Sequence, residues 1–137
     1  KDKVVIITGA SSGIGKALAF EFARRGAKLV LASRSGISDI ELFKLSPDLL
    51  DVRTDVSLEN DCKHLIMKAV EKFGKIDILI NNAGISMRAL FSEVNLDVLR
   101  RLMDTNFWGT VYCSKYALPY LLASRGSLVG VSSIAGY

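Results

Sequence analysis

Val4–Thr8 is a run of β-branched residues that ends at Gly9-Ala10-Ser11-Ser12-Gly13, after which Ile14, Ala17, Leu18, Phe22 and Ala23 return at helical spacing. This predicts a strand, a glycine turn and a helix that closes at Arg24-Arg25-Gly26, where basic side chains and a residue tolerant of left-handed backbone suit a helix end. Residues 28–32 form a second apolar run of strand length. Ser38-Asp39-Ile40-Glu41 opens a weak helical stretch bounded by Pro47, and residues 49–54 predict a third strand. The crossover between strands two and three is unusually short, which raises the expectation of residues omitted between Arg34 and Leu49.

Ser57 is expected to cap the next helix, with Glu59 and Asp61 in its first turn, Cys62, Leu65, Ile66, Ala69, Val70 and Phe73 on one face, and Gly74 at its end. Residues 76–80 predict a fourth strand that leads into Asn81-Asn82-Ala83-Gly84. A mostly helical segment over 96–122 follows, with Pro119 expected to kink or fray its last turns, and residues 128–132 predict a fifth strand.

Strands alternating with helices imply an α/β, doubly wound parallel sheet with helices on both faces, because right-handed crossovers place a helix between parallel neighbours. No repeat, linker or low-complexity tract interrupts the 137 residues, so a single domain over 1–137 is expected. Half of the residues are apolar and 23% are charged, which excludes disorder and collagen-like structure. No apolar stretch approaches the roughly 18 residues of a membrane span, and no signal-peptide layout precedes Val4, so a soluble, cytoplasmic chain is expected. Cys62 and Cys113 are too far apart for a metal knuckle and are read as buried free thiols. The net charge of +4 is spread along the chain, without the basic clusters that nucleic-acid binding requires.

The spacing Gly9-x-x-x-Gly13-x-Gly15 lies where a strand gives way to a helix, and there backbone N–H groups and the helix dipole favour a bound pyrophosphate. A P-loop is disfavoured, because Lys16 is wrongly spaced and no Ser or Thr follows it. At the end of strand two, an acidic side chain would hold the ribose hydroxyls of NAD and repel the extra phosphate of NADP. The sequence has Ser33-Arg34 there, and an arginine can form charge-assisted hydrogen bonds to a 2′-phosphate. The same pair speaks against a methyltransferase on a similar sheet.

Thr8-Gly9-Ala10-Ser11-Ser12-Gly13-Ile14-Gly15, Asn81-Asn82-Ala83-Gly84, Asn106-Phe107-Trp108-Gly109 and Ser132-Ser133 together resemble, in order and spacing, the short-chain dehydrogenase/reductase family. The resemblance covers essentially the whole chain and corresponds to roughly the first half of a family member. It implies a Rossmann-like sheet of visible order 3-2-1-4-5 with its C-terminal part missing. It also implies an oxidoreductase that interconverts a carbonyl and an alcohol on a small-molecule substrate by hydride transfer. By the same resemblance Gly9, Ser11, Ser12, Gly13, Ile14 and Gly15 would line the cofactor diphosphate, Arg34 the 2′-phosphate, and Asp55 and Val56 the adenine. Asn82, Ala83 and Gly84 would pass under the adenine-side ribose, Asn82 chiefly through side-chain bonds to backbone. NADP(H) is preferred to NAD(H), on Arg34 and on the absence of an acid at Ser33.

The family's catalytic serine matches Ser133, whose hydroxyl would polarise the substrate carbonyl, and its relay asparagine matches Asn106. The family's Tyr-x-x-x-Lys has no counterpart in these residues: Tyr112, Tyr116, Tyr120 and Tyr137 lack a lysine four positions on. Tyr112, Tyr116 and Tyr120 share one helix face and are read as packing, as is Trp108. His64, the lone histidine, is read as solvated, and no metal site is expected. The resemblance further implies a homodimer or homotetramer formed through the long helix. A non-catalytic NADP(H)-binding sensor or scaffold on the same fold is the alternative function.

Overall fold

A computed structural model describes residues 1–133. Among them five strands, β1 (Val4–Thr8), β2 (Lys28–Ser33), β3 (Leu50–Arg53), β4 (Ile78–Asn81) and β5 (Ser127–Gly130), pair in parallel in the order β3-β2-β1-β4-β5. The helices are α1 (Gly13–Arg24), α2 (Ile40–Leu45), α3 (Glu59–Phe73), α4 (Leu96–Met103) and α5 (Gly109–Ser124). The expected doubly wound architecture and strand order are therefore present.

β1 is buried along its whole length because it carries one half of the core on each face. Val4 and Ile6 pack with Leu65, Ile66 and Ala69 of α3 and with Ala117 and Leu121 of α5. Val5 and Ile7 pack on the other face with Ala19 and Ala23 of α1 and Leu42 of α2. Each such aliphatic side chain contributes about 1.5–3 kcal/mol on burial. Cys62 and Cys113 meet where α3 crosses α5, both as buried free thiols. The Cys62 thiol donates to the Val56 carbonyl at 3.3 Å. The bond with Cys62, then burial, pushes the Cys113 thiol far above its ordinary pKa.

Below the sheet Asp77, only 4% exposed, joins β4 to β1: its carboxylate accepts the Val4 N–H at 2.8 Å and pairs with Lys75 at 3.0 Å. Its own amide donates to the Val4 carbonyl at 3.0 Å.

Several sequence expectations shift for identifiable reasons. β4 starts at Ile78, two residues later than expected, because the Asp77 carboxylate, and not a backbone carbonyl of the incoming strand, takes the Val4 N–H. β5 spans Ser127–Gly130 instead of 128–132, since its register with β4 ends where Asn81 faces Gly130. Ser57 does not cap α3; its amide and hydroxyl both donate to Asp55 Oδ1, at 3.0 and 2.6 Å, and Leu58 takes the cap position. The segment over 96–122 is helical as expected, with a π-helical turn, Asp104–Trp108, joining α4 to α5.

α5 runs through Pro119 to Ser124 without fraying. Pro119 and Lys115 lie on the exposed side, where the carbonyl that loses its partner can be hydrated. Trp108 is 43% exposed rather than packed beneath the helix, and stacks against Phe107 and Tyr112 at ring separations of 5.4 and 5.8 Å. The position one residue on, Gly109, is the one turned to the core, where Val56 leaves no room for a side chain. Tyr112 and Tyr116 pack partly buried against the core, whereas Tyr120 is exposed. Tyr116 donates a short hydrogen bond to Glu59 of α3, and that carboxylate raises the phenol's pKa. His64 is exposed, as expected.

Candidate functional site: the cleft at the carboxyl ends of the strands

The cleft is built from the turn after β1. Gly9 takes left-handed backbone (φ 64°), and a Cβ there would stand 2.8 Å from the Ala83 Cα. A Cβ on Gly15 would meet the Gly9 carbonyl oxygen at 2.2 Å and the Asn82 Nδ2 at 2.5 Å, so glycine alone lets α1 start so close to the strand. Around Gly13, by contrast, no atom beyond its chain neighbours and its own helix backbone lies within 4 Å of the position a Cβ would occupy. Ser12 stands at the helix cap without a side-chain capping bond, and among the described residues the opening amides of α1 have no side-chain acceptor. Such amides, at the positive end of a helix dipole, suit an anion.

Thr8 joins this turn to the segment after β4. Its hydroxyl accepts the N–H groups of Asn82 and Ala83 at 3.0 and 2.9 Å. In return, the Asn82 amide donates to the carbonyls of Thr8 and Gly9, both at 3.1 Å. Two glycine-bearing motifs more than 70 residues apart are thereby held as one rigid floor.

Above that floor opens a cleft of ≈ 210 Å³. Of the residues singled out from the sequence, Gly9, Ser11, Ser12, Arg34, Asp55, Val56, Asn82, Ala83 and Gly84 line it. Gly13, Ile14 and Gly15 form the start of α1 beside it, with Ile14 61% exposed. Asp55 is fixed by its two bonds from Ser57 and by its amide, which donates to Asp61 at 2.9 Å. Lys16 is drawn away to Asp39 at 3.2 Å, and this ammonium holds the Asp39 carboxyl below the ordinary carboxylate range.

Asn106 lies in the π-helical turn and exchanges two 2.8 Å hydrogen bonds with the backbone of Ile85, accepting its N–H and donating to its carbonyl. Both ends of its amide are thus engaged. Ser133 is exposed and follows β5, just past the bond from Val131 N–H to the Asn81 carbonyl. Tyr137 lies outside the described residues.

Nothing in the sequence singles out Thr54, Ile85 and Thr105, which line the cleft together with Ser33. Ser33 and Thr54 are strand-end residues whose position at the rim follows from register. Thr8 closes a β-branched run and opens the first glycine motif, and nothing local distinguishes its role as a hub. Among the described residues no cluster of His, Cys, Asp or Glu has the makings of a metal site, and no helix is long and apolar enough to cross a membrane.

The open approach at Gly13 and the opening amides of α1 thus lie beside the cleft, and Arg34 lines its rim after β2. The 11-beta-hydroxysteroid dehydrogenase A of Arachis hypogaea is 49% identical over 138 residues, covering 96% of this chain and 40% of the relative. A solved alcohol dehydrogenase from the archaeon Thermococcus sibiricus, complexed with 5-hydroxy-NADP, superposes with a TM-score of 0.87 at 27% identity, over 97% of this chain and 59% of that one. An NADH-dependent reductase, A1-R′, complexed with NAD, gives a TM-score of 0.90 at 33% identity, over 98% and 61%. The chain spans 40% of the length of the first curated relatives it matches. The family model for short chain dehydrogenases matches residues 3–137, and the chain belongs to that family of oxidoreductases.

Proposed function

We propose that residues 1–137 form the nucleotide-binding domain of an NADP(H)-dependent oxidoreductase that interconverts a carbonyl and an alcohol on a small molecule. The observation that carries the cofactor choice is the rim after β2, where Ser33 and Arg34, and no acid, line the cleft. The guanidinium there favours a 2′-phosphate, and an acidic residue in its place would repel it. Structural neighbours bind either cofactor form, so the choice rests on this rim.

Gly9, Ser11, Ser12, Gly13, Ile14 and Gly15 would hold the diphosphate, Asp55 and Val56 the adenine side, and Asn82, Ala83 and Gly84 the ribose floor. When bound, a nicotinamide supplies or accepts the hydride. Ser133 would donate a hydrogen bond to the substrate oxygen, stabilising the charge that develops there during reduction. Asn106, with its side chain committed to Ile85, would keep the segment after β4 in place beneath the reacting groups. The names of the curated relatives make a hydroxysteroid the first substrate to test.

We also assign the exposed apolar residues of α4 and the π-helical turn, Leu96, Met103 and Phe107, to a contact between copies in a homo-oligomer. Sedimentation of the complete natural protein is expected to give a dimer or tetramer, and a monomer would contradict the assignment. Buried free thiols suit a reducing compartment such as the cytoplasm.

The deciding experiment titrates NADPH and NADH into wild type and Arg34→Ala. NADPH affinity should fall at least about tenfold in the variant, with NADH nearly unchanged. Equal losses for both cofactors, or none, would remove Arg34 as the selector.

A further inference from the structure

Arg34 stands on a tight turn between β2 and α2, and the turn is held from the neighbouring edge strand. Ser33 Oγ accepts the Gly36 N–H at 3.0 Å. Asp51 Oδ2, from β3, accepts the Ile37 N–H at 2.9 Å. Between these bonds Gly36 has left-handed backbone, φ 83°, and a Cβ there would stand 3.3 Å from Arg53 Nε and 3.4 Å from Asp51 Oδ2. The register explains the meeting: Leu31 faces Asp51 and Ser33 faces Arg53, two residues apart on one side of the sheet, while the intervening Val52 is buried on the other. A six-residue α2 makes the crossover short enough for the turn to lie directly against these two side chains.

Resting on the reading of Arg34 as the 2′-phosphate ligand, we propose that Asp51 is a positioning residue for cofactor selection, fixing through Ile37 the turn that presents Arg34. Charge and geometry make opposite predictions here. If Asp51 acted only as a nearby anion, its removal would strengthen binding of the more negative cofactor. As the clamp of the turn, its removal weakens that binding, because Arg34 must then be ordered at the moment of binding.

The test uses the complete natural protein that carries this sequence, with Asp51→Ala and Asp51→Leu to remove the acceptor and Asp51→Asn to keep it without the charge. Calorimetric titration of NADPH and NADH is run beside thermal unfolding and Arg34→Ala. Expected is a loss of about fivefold to tenfold in NADPH affinity for the Ala and Leu variants, NADH within about twofold, and wild-type behaviour for Asp51→Asn. Stronger NADPH binding, unchanged binding, or equal loss for both cofactors in the Ala and Leu variants overturns the proposal while Arg34→Ala still discriminates. If Arg34→Ala itself discriminates nothing, the underlying cofactor reading fails instead.

Discussion

Asn106 and Ile85 are bound to each other twice: the side-chain amide of one closes on the backbone N–H and carbonyl of the other, both at 2.8 Å, across 21 residues of sequence. The pairing mimics one rung of a sheet and fastens the π-helical turn between α4 and α5 to the first residue after Asn82-Ala83-Gly84. Asn106 is therefore placed to act through Ile85, by fixing the segment that borders the cleft.

Replacing Asn106 with Ala should release that segment. In the complete enzyme kcat/KM is expected to fall about a hundredfold, the scale of loss when reacting groups are displaced by about 1 Å. Hydrogen exchange at the Ile85 amide should speed up at the same time. Loss of activity with unchanged exchange at Ile85 would contradict the clamp.

Thr8→Val should be costly for its size. The replacement fills the same space but leaves the amides of Asn82 and Ala83 without their acceptor. The expected destabilisation is about 2–4 kcal/mol, with Thr8→Ser recovering most of it. Urea unfolding of the three proteins compares them directly, and equal midpoints for Val and Thr would refute the hub.

Asp77 makes stability depend on pH with a defined sign. Burial raises its pKa, but the Val4 amide and Lys75 outweigh burial and the folded carboxyl lies below its ordinary value. Its contribution is therefore full above the unfolded pKa of about 3.9 and is lost as pH falls through the lower folded value. Asp77→Asn should unfold at lower temperature at pH 7, and its melting temperature should fall less steeply than wild type below about pH 4. Parallel curves would show that another group carries the acid sensitivity.

The strands were legible because β1, β2 and β4 are buried on both faces and so appear as unbroken apolar runs. Their ends were less so. Asp77 and Ser57 spend their bonds on Val4 and Asp55, choices that depend on partners and not on the local pattern. The turn from Gly9 to Gly15 announced itself, since close backbone approach leaves a mark in residue type. The π-helical turn left none; Asn106 within it bonds to the backbone of Ile85, a partner far away in sequence. Asp51 was invisible for the same reason: an acid in an edge strand reads as solvated until register sets it against Ile37.

The buried meeting of Cys62 and Cys113 gives the molecule an internal gauge of its own opening. A maleimide or iodoacetamide needs both access and a thiolate; the folded state buries both sulfurs and holds the Cys113 thiol protonated. Alkylation should therefore wait for separation of α3 from α5, so its rate, followed by mass at increasing urea, reads how often those helices part.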